Sequence, residues 1–278
     1  MTSKVNMRQM ARLDAFNPSN CKFDANNLNK APKHEFIKKT DVDYDVVICI
    51  PSHNRYEKLK RIINQFYSQS TRYTFKFIIL NDGSIDNRYD TLKKEFPDIT
   101  YLKNEVSNGK AMHWYCYNQM WKYLKPIYCH AILQTDDDFI FSDNFLNNIM
   151  DLYFEKKKNN DLYMGIGLHL WSLNENSVME SWWDNTEIID GIALLDPEII
   201  QYMDYRMHNI IGVDLNQTGM PVKTWVQISN AVKEFGGCFY KTENSLVYHD
   251  GNDDSQLHGD YRKNNEHYLY TRKYIGKI

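Results

Sequence analysis

From residue 45 onward the chain alternates two apolar rhythms, short unbroken runs and longer stretches spaced three or four residues apart. The run DVVICIP, 45–51, is continuous and stopped by a proline, the pattern of a strand covered on both faces. Leu59, Ile62, Ile63 and Phe66 then fall on one side of a helix expected over 57–66. A second strand is expected over 75–80, ending in the turn-forming NDGS of residues 81–84. A helix of about ten residues should follow from Asp86, then a short strand over 99–102, a helix over 110–123 and a strand over 130–134. Ser142 is placed to cap a helix running to about residue 156.

Strand and helix thus alternate through the first half. That order predicts an α/β fold with a mainly parallel central sheet flanked by helices. The second half is less regular. Strands are expected over 162–168 and 188–195, and Asp196, Pro197 and Glu198 form a helix start of N-cap, first-turn proline and acid. A last helix should span 222–235 and close at Gly236 and Gly237. With no internal repeat or low-complexity linker, a single domain is expected over 44–260. A polar extension (1–43) precedes it and a tail (261–278) follows.

Composition narrows the field. The 278 residues, 42% hydrophobic, suffice for a substantial core. A net charge of −3 gives no global basic field, so neither nucleic acid nor an anionic membrane is signalled as a partner. No apolar run nears the roughly 18 residues of a membrane span. The N-terminal residues lack the apolar core of a secretory signal, and the five cysteines are scattered with no C-x-x-C. A reducing, cytoplasmic setting is the expectation.

The candidate chemistry lies at strand ends. In LQTDDDFIF, 133–141, apolar residues enclose Asp136, Asp137 and Asp138, whose mutual repulsion calls for a positive partner. In an extended segment Asp136 and Asp138 would point one way and Asp137 the other. Two converging carboxylates suit Mg²⁺ or Mn²⁺ completed by waters and phosphates, although an acidic turn without a ligand satisfies the same letters. NDGS offers Asp82, a glycine and a hydroxyl at the end of the preceding strand, and PSHNR (51–55) lies at the end of the first. Open sheets bind ligands outside the carboxyl ends of their strands, where these segments would meet.

Taken in order, the apolar strand with PSHNR, IILNDGSID, SNGKAMHWYCYNQ and LQTDDDF resemble the GT-A glycosyltransferases of the large family 2 type, over about residues 44–170. The resemblance implies a metal-dependent transfer of a sugar from a nucleotide-diphosphate donor, a UDP-sugar by the family's usual habit, to a hydroxyl of a glycan or other acceptor. It implies that Pro51, Ser52 and Asn54 lie beside the base and that Asp82 bonds it. Asn108, Gly109 and Lys110 match the family's segment at a helix start, with Lys110 near the diphosphate. Asp136 would reach the ribose or a metal-bound water and Asp138 the metal, with Asp137 retained because the register is ambiguous by one residue. His249, in a late strand, would close onto the metal or diphosphate, with His258 as its substitute and Arg262 as a phosphate partner.

For the acceptor, Trp182 and Trp183 resemble a sugar-stacking platform, and Asp190 and Gly191 resemble the family's acceptor-facing strand. One departure stands out. Inverting members carry an acidic pair at the start of the late helix, where this chain has Thr224 and Trp225. The base that direct displacement requires must then come from Asp214 or Asp190, or the enzyme retains configuration and needs none. Two other readings remain open: a catalytically inactive sugar-nucleotide or glycan-binding module of the same fold, and a glycosyltransferase acting on modified DNA bases. A P-loop kinase is disfavoured by the lack of G-x-x-x-x-G-K-[ST].

Overall fold

The computed structural model describes residues 41–109, 112–168, 171–172, 192–208, 222–241, 246–250 and 270–271. Its first strand, β1 (Tyr44–Ser52), pairs in parallel with β2 (Phe75–Asp82) on one side and with β4 (Cys129–Gln134) on the other. Beyond β2 lies β3 (Thr100–Asn104), also parallel. Beyond β4 lie β8 (Ala193–Leu195) and β6 (Tyr163–Gly167), each pair antiparallel, and then β9 (Cys238–Lys241), parallel to β6. The seven-stranded sheet therefore runs β3-β2-β1-β4-β8-β6-β9 among the described residues, and it is mostly parallel, as the strand–helix alternation predicts.

The continuous apolar run of β1 is explained by a core on each face. Val46, Ile48 and Ile50 pack with Leu59, Ile62, Ile63 and Phe66 of α1 (Tyr56–Ser68). Phe66 is the hub of that layer, its ring 5.6 Å from Phe77 and 4.9 Å from Phe141. Val47 and Cys49 face the opposite core with Trp114, Tyr117 and Trp121 of α3 (His113–Trp121) and Trp225 and Ile228 of α6 (Val222–Phe235). Cys49 is a fully buried free thiol that serves as a small apolar residue.

The stretch after Asp86 is a 3-10 turn, Asn87–Thr91, running into the single turn α2 (Leu92–Glu95). Asp86 caps it through the Arg88 amide. Ser142 does not cap the next helix. The N-cap position falls to Asn144, in the left-handed region at φ 56° with no capping bond from its side chain, and α4 spans Phe145–Asn159. The Ser142 carbonyl accepts from the Phe145 amide instead, and asparagine tolerates the left-handed geometry that starts this helix. Asp196 caps α5 (Pro197–Tyr202) through the Glu198 amide, as its D-P-E sequence predicts.

Two short antiparallel pairs complete the described structure. β5 (Phe139–Phe141) pairs with β10 (Val247–His249), and β7 (Trp171–Ser172) pairs with β11 (Tyr270–Thr271). Among the described residues no helix is long and apolar enough to cross a membrane.

Candidate functional site

Strand order reverses at β1, because the chain passes first to β2 on one side and later to β4 on the other. A crevice opens outside the carboxyl ends of strands at such a point. Ser52 ends β1, Asp82 ends β2, and Asp136 follows β4 by two residues.

Asp82 sits in a cradle of neutral donors. Its Oδ1 accepts from Asn104 Nδ2 at 2.8 Å and Asn108 Nδ2 at 2.8 Å, and its Oδ2 accepts from Ser107 Oγ at 2.9 Å. The Asn108 amide lies within 3.0 Å of both oxygens. The next residue, Gly83, has φ +65°, and a Cβ there would meet the Ser107 backbone nitrogen at 2.3 Å, so only glycine lets the two loops touch. Asn54, itself at φ 54°, binds the NDGS loop to the end of β1: its amide donates to Ser84 Oγ and its side chain accepts from the Ile85 amide, both at 2.9 Å.

The acidic turn is met by a guanidinium and an imidazole. Ser52 Oγ donates to Asp137 Oδ2 at 2.6 Å and lies 2.6 Å from the Tyr89 hydroxyl. One hydroxyl proton already serves Asp137, so the tyrosine donates to the serine. Arg55 NH1 reaches Asp137 Oδ1 at 3.1 Å and Asp138 Oδ2 at 2.7 Å, and His249 Nε2 stands 3.4 Å from the same Asp138 oxygen. Asp136 turns elsewhere, with His113 Nε2 at 3.0 Å and the Tyr117 hydroxyl donating at 3.1 Å. Residues 137 and 138 form a turn rather than extended chain, which is why the period of two expected for the triplet fails and Asp137 and Asp138 share one guanidinium.

Burial pushes the Asp137 carboxyl up to about 6, against the opposing pull of Arg55. For Asp138 burial works in the same upward direction, but His249 and Arg55 outweigh it and hold the carboxyl well below the usual range. Arg55 pays the cost of burial too, yet the two carboxylates keep it firmly protonated. Two adjacent carboxylates therefore stay in a buried turn because one side chain from the next strand end reaches both.

Among the described residues Asp138 Oδ1 is buried and has no hydrogen-bond partner. A carboxylate oxygen left in that state is costly, and a bound cation removes the cost. Among the described residues no three His, Cys, Asp or Glu are gathered into a ready cage. Mg²⁺ and Mn²⁺ do not require one where one or two carboxylates, waters and substrate phosphates complete the shell. Asp138 Oδ1, with the Asp136 carboxylate 30% exposed two residues earlier, fits that pattern.

Of the residues singled out in the sequence, Pro51, Ser52, Asn54, Asp82, Asn108 and Gly109 fall at the ends of β1 and β2 and in the loop after β3. Asp136, Asp137, Asp138 and His249 fall at the acidic turn. Lys110, Trp182, Trp183, Asp190, Gly191, Asp214, His258 and Arg262 lie outside the described residues. Thr224 and Trp225 are buried in the first turn of α6, which carries no acid. Sequence reasoning passed over Arg55, Tyr89, Asn104, Ser107, His113 and Tyr117. Arg55 had a signal, since it stands inside PSHNR and the triplet demanded a cation.

The model of the family described as Glycosyl transferase family 2 matches residues 47–193, just over half the chain. No curated protein matches. Among solved structures, the mannosyltransferase PcManGT from Pyrobaculum calidifontis, in complex with GDP-Man and Mn²⁺, superposes with a TM-score of 0.55 at 13% identity, over 81% of this chain and 64% of its own. S. aureus TarS 1–349 gives 0.51 at 10% identity, over 78% of this chain and 68% of its own. TarS 1–349 in complex with UDP gives 0.52 at 10% identity, over 73% and 60%. This chain thus spans less than two thirds of the mannosyltransferase's length. At these identities the likeness is one of fold.

Proposed function

The chain belongs to glycosyl transferase family 2, and on that premise we propose that it moves a sugar from a nucleoside-diphosphate donor to an acceptor hydroxyl at the ends of β1, β2 and β4. The donor we favour is a UDP-sugar, the acceptor is a glycan or other hydroxyl compound, and the cofactor is Mn²⁺ or Mg²⁺. The observation that carries this is the buried Asp138 Oδ1 without a partner beside an otherwise neutralised pair of carboxylates.

In this reading Asp138 would hold the cation through Oδ1, and Asp136, turned toward His113 and Tyr117, would reach the ribose or a metal-bound water. A divalent ion there supplies the charge that stabilises a departing diphosphate. Asp82 fixes Ser107 and Asn108, and with them the loop that receives the base. Ser52 and Arg55 keep Asp137 and Asp138 in place, so the site is charged and ordered before the donor arrives. Asp214 or Asp190 is our candidate for the base that takes the acceptor proton.

A second reading keeps the donor site without the transfer. The lack of an acid in the first turn of α6 favours it. One experiment separates them: UDP- and GDP-sugars, with and without Mn²⁺, are screened for thermal stabilisation and for slow donor hydrolysis, with Asp138→Ala in parallel. Transfer chemistry predicts metal-dependent stabilisation and turnover by one donor, with turnover lowered about 10²- to 10³-fold in the variant, the scale for losing one preorganised electrostatic stabiliser. Stabilisation with no turnover from any donor supports the binding module. No response to any nucleotide in the presence of metal sinks both.

A further inference from the structure

The start of α1 carries cations at every third position, Arg55, Lys58 and Arg61. The helix dipole disfavours positive charge there, so acids nearby must repay the placement. Arg55 finds Asp137 and Asp138. Lys58 and Arg61 both find Asp250, the residue that follows β10: Lys58 Nζ donates to its carbonyl at 2.5 Å, and Arg61 NH1 to its Oδ2 at 2.6 Å. The Asp250 amide in turn donates to the Asp138 carbonyl at 2.7 Å. The residue before it, His249, meets Asp138 Oδ2.

We infer that Lys58 and Arg61 are positioning residues, a charge latch that holds His249 and Asp250 against the acidic turn and so sets the orientation of the Asp138 carboxylate. They act through Asp250, whose amide fixes the turn's backbone and whose neighbour fixes one carboxylate oxygen, leaving Oδ1 for a cation. The latch itself rests on geometry alone, and its consequence for metal binding rests on the donor-site reading above.

The test uses the full chain with Arg61→Ala, Arg61→Lys and Asp250→Asn, read by hydrogen exchange of the peptide covering 246–250 and by the Mn²⁺ concentration at half-maximal thermal stabilisation without nucleotide. Arg61→Ala and Asp250→Asn should exchange this peptide about tenfold faster and raise the Mn²⁺ midpoint about tenfold, the lower end of the range for residues supporting metal ligands. Arg61→Lys, which keeps the charge, should recover most of both. Unchanged exchange overturns the latch. Faster exchange with an unchanged midpoint overturns its influence on Asp138. A wild-type chain indifferent to Mn²⁺ instead defeats the metal reading, and the exchange arm then judges the latch by itself.

Discussion

Two carboxylate sites lie at the ends of β2 and β4, the strands that flank β1, and are handled in opposite ways. Among the described residues Asp82 is met by neutral donors, chiefly from the segment 104–108. The pair Asp137 and Asp138 is met by a serine, a guanidinium and an imidazole drawn from β1, the start of α1 and β10, and still keeps one oxygen unmatched. The first arrangement satisfies a charge by saturating it with dipoles, which orders a loop. The second satisfies it with opposite charge and leaves room for more. A carboxylate of the first kind builds the site, and one of the second kind is available to work in it.

Arg55→Ala should break the contrast most severely. It leaves two buried carboxylates without their shared cation, and removing one partner of such a pair costs about 3 kcal/mol. Urea unfolding measures it, and adding Asp137→Asn should recover a large part. If the single and double variants lose the same stability, Arg55 is not neutralising Asp137.

Asp82→Asn should cost less, about 2 kcal/mol, because hydrogen bonds to a charged acceptor are each worth about 1.5–3 kcal/mol and some survive on the remaining carbonyl oxygen. The loss should appear first as faster hydrogen exchange at Ser107 and Asn108. Protection at those residues equal to wild type would mean that Asp82 is not what orders them.

Ser52→Ala is the mildest, about 1 kcal/mol, since Arg55 remains on Asp137 when the hydroxyl is gone. Here the sharper measure is a double-mutant cycle with Tyr89→Phe. The serine and tyrosine hydroxyls form one relay, so their effects should fall short of additive. Strict additivity would separate them.

The sheet was legible because its evidence is local. DVVICIP is apolar without interruption since both faces of β1 are covered, and D-P-E spelled a helix start that the chain adopts at Asp196. The segments that bring Asp82 and the triplet to strand ends could be read for the same reason. What the residues do there could not. Asp136 and Asp138 were expected side by side, but a turn at 137–138 sets Asp136 apart and pairs Asp137 with Asp138. Turns do not carry the period of two that makes strands readable. Arg55, Tyr89 and Asn104 were passed over because each meets its partner across 22 to 83 residues of chain, and periodicity reports only neighbours.

The pairing of β5 with β10 has a consequence in time. Phe139 to Phe141 follow the acidic turn directly, yet their partners Val247 to His249 leave the ribosome about a hundred residues later. The parallel strands β1, β2 and β4 can assemble while the rest is still being made, since domains fold largely as units during synthesis. Asp138 must wait for His249. A nascent chain can therefore own β1, β2, β4 and its Asp82 cradle well before its acidic turn is finished, and the last piece to arrive is the imidazole that meets Asp138.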